Sequence, residues 1–145
     1  MLLEECSMSR TIARRDAFCL IFQMDFHEKD REEELKEMFF GENPNLSQGD
    51  RDFIEGLVSC ACENRDEIDE LIGKYAKGWK VSRMSKVDLA ILRLAVCEMV
   101  FVKETPFRVV INEAVELAKK YSSDEAPAFI NGILGELSKG EGCVE

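Results

Sequence analysis

The chain has 145 residues and no run of eighteen uncharged apolar ones, which excludes a membrane-spanning helix. Its first residues, MLLEECSMSR, carry acids where a secretory signal has a basic region and then a long apolar stretch, so the chain reads as an unexported, cytoplasmic protein. It has a single histidine, His27, and six cysteines without a CxxC pair. The usual zinc ligand sets need closely spaced Cys and His, and Cys60 and Cys62 would point about 200° apart on a helix, so no metal site is expected. Cys19 and Cys97 fall in apolar helical runs, where thiols act as small hydrophobes. The glycines stand singly, which excludes a phosphate-cradling loop, and no cofactor is called for. No segment alternates apolar and polar residues for long enough to form a half-buried strand.

What remains is helical periodicity throughout, and the fold class is all-α. The first helix is expected over about 10–26, with Ser9 as N-cap and Ala13, Ala17, Leu20, Ile21 and Met24 facing the core. A short acidic helix follows to Phe40 and ends at GENPN. Ser47 caps a third, and Ile68, Leu71, Ile72 and Tyr75 mark a fourth that stops at Gly78. Ser85 caps a fifth, apolar on nearly every side from Val87 to Val102 and therefore the centre of the fold. Thr105 with Pro106 opens the sixth, and the seventh runs from about 125 to 138. Residues 1–8 read as a disordered extension, 9–138 as one domain, and 139–145 as a tail too polar to pack.

The net charge of −10 hides a division along the chain. Residues 1–73 carry 8 basic and 19 acidic side chains, whereas residues 74–120 carry 10 and 5. A negatively charged partner is steered to the middle of the chain and a basic protein to the first half.

Arg10, Arg14, Phe18 and Phe22 recur every four residues on the first helix. Such a stripe suits phosphates and unpaired bases, although aromatic spacing of this kind taken alone favours packing. Lys74, Lys77, Lys80, Arg83 and Lys86 form an acid-free run around Trp79, which is expected to be a packing anchor rather than a stacking platform. Glu113 and Glu116 share a helix face without a histidine or ligand set beside them, so no catalytic residue is expected.

Three segments are specific together: WKVSRMSKVDLAILRLA (79–95), TPFRVVINEAVELAKKY (105–121) and FINGIL (129–134). Their order and spacing resemble those of the NusB family of bacterial transcription antitermination factors, over about Ser9 to Leu137. The resemblance implies a seven-helix fold of two packed helical bundles and a non-catalytic role. It implies pairing with NusE, a ribosomal small-subunit protein, binding to the boxA element of ribosomal RNA leader transcripts, and joining the RNA polymerase elongation complex to suppress Rho-dependent termination. By position it assigns Arg10, Arg14, Arg15 and Phe22 to RNA contact, together with Asp124, Glu125, Phe129 and Asn131, and Asp88 to the NusE interface. Thr11, Ile12 and Ala128 stand where the family commonly has basic residues, so weaker RNA affinity with a flatter salt dependence is expected. The other reading in view is a helical interaction module of the same fold with little RNA affinity of its own, forming a homodimer when free.

Overall fold

The computed structural model describes the backbone of residues 2–143 and the side chains of residues 8–143. Seven α-helices appear in chain order: α1 (Leu2–Met24), α2 (Glu32–Glu42), α3 (Gln48–Glu63), α4 (Arg65–Tyr75), α5 (Lys86–Val96), α6 (Phe107–Tyr121) and α7 (Ala126–Gly140). Short 3-10 turns precede α2 and α5, and α5 runs on as a π-helical segment, Cys97–Val102. Among the described residues there is no strand. Helices α1, α2 and α3 form one bundle and α4, α6 and α7 the other, with α5 packed against α1, α3, α4, α6 and α7. Residues 89–99 are all buried, so the helix expected at the centre lies there.

Local chemistry explains where the helices start. Ser47 and Ser85 accept hydrogen bonds from the N–H groups of Asp50 and Asp88, each at 3.1 Å, satisfying otherwise orphaned donors of α3 and α5. Ser9 has a different role from the one expected. Helix α1 begins upstream, so the backbone of the expected extension is helical from Leu2, and the Ser9 hydroxyl donates to the Asp50 carboxylate. Pro106 has an extended ψ of 139°, which makes it, and not Thr105, the residue before the first turn of α6. The expectation of a tail too polar to pack is also corrected. Helix α7 reaches Gly140, Glu141 accepts hydrogen bonds from the Tyr75 hydroxyl and Lys74, and Cys143 is buried. The Tyr75 ring occupies the space a Cβ would need at Gly140, so a larger residue there would push the ring aside. Cys97 is buried as expected, whereas Cys19 faces solvent.

Two buried charge clusters fasten α1 to the rest of the fold. Arg14 makes a two-pronged ion pair with Glu98, Nε–Oε1 2.9 Å and Nη2–Oε2 2.7 Å, and both side chains are buried. Burial opposes the charge on Arg14, but the hydrogen bonds and charge of Glu98, with Glu113 further away, outweigh it and raise the guanidinium pKa. Eleven residues along, the Asp25 carboxylate meets Arg65, Lys86 (3.0 Å) and Arg93 (3.4 Å), and Arg93 also clasps Asp69 at 2.8 and 3.0 Å. The second cluster therefore joins the end of α1 to α4 and α5.

Removing one member of a buried pair strands the other, at a cost of about 3–5 kcal/mol, whereas replacing both with apolar groups is nearly neutral. Arg14→Ala should therefore lower the urea midpoint strongly, and Arg14→Met combined with Glu98→Leu should lower it less. Burial alone would raise the Asp25 pKa; Lys86, Arg93 and Arg65 outweigh it and hold the carboxyl below its usual range. Its stabilisation is thus complete above the unfolded carboxyl pKa of about 3.9 and is lost as pH falls through the lower folded value. Thermal melts between pH 7 and pH 2.5 should show a decline beginning below about pH 4 that is shallower in Asp25→Asn.

Candidate nucleic-acid and partner interface

The arginines of α1 divide by exposure. Arg14, expected at the RNA, is 6% exposed and paired with Glu98, so its guanidinium is turned to the core. Phe18 is buried too, in ring contact with Tyr121 at 5.3 Å. The four-residue stripe therefore faces the core over its middle. Arg10 remains about two-fifths exposed, lying over the Phe53 ring at 4.3 Å and donating to the Gly49 carbonyl at 3.3 Å. Arg15 is similarly exposed, with Asp16 at 3.4 Å. It faces a groove of about 440 Å³ between α1 and α6 that is also lined by Ile12, Lys119, Lys120 and Tyr121 and by the acids Glu113 and Glu116. Phe22 is half-buried between Phe18 and the exposed Phe26, with its ring centroid 5.1 Å from that of Phe26.

A second groove, of about 370 Å³ and largely apolar, lies where the first turns of α5 and α7 meet. One wall is the 79–88 segment, with Trp79, Arg83, Met84 and Asp88; the other is 123–129, with Glu125 and Phe129. Trp79 is 61% exposed and packs edge-on against Phe129, with ring centroids 5.5 Å apart. It is no packing anchor. Lys77 (φ 43°) and Gly78 (φ 92°) adopt left-handed conformations after α4 and carry the chain outward before Trp79. Its outer face is therefore open to solvent, a geometry suited to stacking on a base.

The remaining expected residues sit around this groove with one exception. Asp124 and Glu125 are exposed in the α6–α7 connection. Asp88 is half-exposed in the first turn of α5, where the Ser122 hydroxyl donates to its Oδ1 at 2.5 Å. Asn131 is exposed on α7 but two residues beyond Phe129, about 200° around the helix, and it does not line the groove. Lys119 and Lys120 were not expected in the site. Lys119 is an ordinary i,i+3 partner of Glu116 and Lys120 its neighbour, so neither gives a signal in the sequence, and only the fold sets them beside Arg15. Glu113 accepts a hydrogen bond from Thr11 at 3.0 Å, so the two α6 acids serve as surface partners. No group of three or more metal-ligating side chains is found among the described residues.

Comparison with known proteins gives this surface a context. Residues 11–139 match the NusB family. The chain is 48% identical over 132 residues to the transcription antitermination protein NusB of Acetivibrio thermocellus, covering 91% of this chain and 90% of that protein. It is 44% identical to the NusB of Agathobacter rectalis, covering 90% of this chain and all of the other. Among solved structures, T. maritima NusB superposes with a TM-score of 0.77 at 33% identity, covering 90% of each chain. A crystal structure of antitermination factors NusB and NusE in complex with dsRNA matches with a TM-score of 0.80 at 28% identity, covering 92% of this chain and 98% of the other. With the family pattern spanning nearly the whole chain and the seven-helix fold shared, this protein belongs to the NusB family.

Proposed function

We propose that this protein is a transcription antitermination factor that pairs with NusE and binds boxA RNA in ribosomal RNA leader transcripts. The pair joins the cytoplasmic RNA polymerase elongation complex and suppresses Rho-dependent termination. Its output is polymerase processivity, not turnover of a substrate. The observation that carries this reading is the close match of the whole fold to a protein solved together with NusE and double-stranded RNA.

The geometry favours a division of labour. Trp79 and Phe129 present rings for base stacking beside Arg83, while Arg15, Lys119 and Lys120 at the end of α6 supply charge for phosphates. The loop acids Asp124 and Glu125 border the aromatic groove, while Arg10 and Asn131, set away from it, offer further contacts to a longer RNA. Asp88 serves the protein partner: NusE is a ribosomal protein of basic character, and a half-exposed carboxylate suits it. Phe22 continues the row of rings that runs from Tyr121 through Phe18 to the exposed Phe26.

Titration of labelled boxA RNA with and without purified NusE tests this reading. The pair should bind boxA in preference to a scrambled sequence, and indifference to sequence with NusE present would refute it. Trp79→Ala and Phe129→Ala should each weaken RNA binding by about tenfold, in line with a stacking contribution of about 1–3 kcal/mol per base. Asp88→Lys should impair pairing with NusE while leaving the helical signal unchanged.

A further inference from the structure

The groove has two walls from distant parts of the chain, and two side-chain contacts bridge them. One is the edge-on contact of Trp79 with Phe129. The other is the hydrogen bond to Asp88 from the hydroxyl of Ser122, the residue just before the second wall. At 2.5 Å it lies at the short end of the range for a hydroxyl on a carboxylate, where such bonds are about twice as strong as neutral ones.

The position of Ser122 gives this bond its reach. It is the first residue after α6, in extended conformation (φ −122°, ψ −169°), and its N–H closes the helix on the Ala118 carbonyl at 2.9 Å. The next residues lead directly into α7: Ala126 N–H bonds to Ser123 O at 3.1 Å and Phe129 N–H to Glu125 O at 3.2 Å. On the other wall, the Asp88 N–H is held by Ser85, so the backbone of Asp88 is fixed while its carboxylate is oriented by Ser122. Asp88 itself is half-exposed, open to a cation of a partner.

Resting on the assignment of Asp88 to the protein partner and of the 123–129 wall to RNA, we propose that Ser122 is a positioning residue: its hydroxyl aims the Asp88 carboxylate at NusE and ties that contact to the RNA-facing loop. Binding of NusE at Asp88 then restrains the loop that carries Asp124 and Glu125 and leads to Phe129. Binding of either ligand favours the other by the same factor, as linkage requires.

Three variants test this in the full chain, with NusE pairing followed by calorimetry and boxA RNA affinity measured with and without saturating NusE. Ser122→Ala should weaken pairing by about tenfold, the effect of losing a hydrogen bond to a charged group, and reduce the gain in RNA affinity that NusE confers. Ser122→Thr keeps the hydroxyl in a backbone conformation open to β-branched residues and should restore both. In an Asp88→Asn background Ser122→Ala should add little, because the charge it orients is gone. Pairing and RNA enhancement at unsubstituted levels in Ser122→Ala would overturn the role of Ser122 alone. Failure of the unsubstituted chain to pair with NusE would overturn the assignment of Asp88 as well.

Discussion

Burial of charge along α1 is the constraint on which the rest of this fold depends. Arg14 and Asp25 are three helical turns apart, and each is matched by side chains of α5 or its π-helical continuation: the buried Glu98 for the first, the buried Arg93 and the more exposed Lys86 for the second. A charge taken out of water without a partner is costly, so these contacts fix both the axial position and the rotation of α1 against the central helix. The π-helical segment supports the first of them. It carries Glu98, and the left-handed Lys103 closes it by donating its N–H to the Glu98 carbonyl at 3.0 Å.

Once α1 is fixed in this way, its cations are no longer interchangeable. Arg14 is spent on the core, whereas Arg10 and Arg15 flank it on opposite, partly exposed sides. The family-like density of arginine at this end thus overstates the charge available to RNA. With Thr11 and Ile12 in place of further cations, the exposed cations and rings of this chain lie at the end of α6 and in the aromatic groove, where the proposed recognition surface is set. That groove joins two features separated by fifty residues: an outward-turned tryptophan after α4 and the first turns of α7.

The sequence made the local features legible. Seven amphipathic periods, the apolar Val87–Val102 stretch and the serine caps at positions 47 and 85 follow from side-chain spacing and hydrogen-bonding chemistry within a few residues, and the fold contains them. The features it concealed depend on distant partners. Arg14 pairs with a residue 84 positions away, so nothing nearby distinguishes it from a surface arginine in an i,i+4 stripe. Trp79 resembled a core anchor because an apolar helix follows it; a left-handed turn at Lys77 and Gly78, invisible to hydropathy, turns it outward. The Ser122–Asp88 bond likewise spans 34 residues and joins what the motifs suggest are two separate surfaces.

The central claim is that RNA is met at the Trp79–Phe129 groove and not along the Arg14 stripe. Trp79 is the only tryptophan of the chain, so its emission reports on that groove directly. Tryptophan fluorescence of the chain with NusE should be measured as boxA RNA is added, with NusE alone setting the baseline. Saturable quenching, with protection of the indole from a soluble quencher, is the predicted result. Saturable RNA binding that leaves both the emission and the quencher access of Trp79 unchanged would contradict the claim.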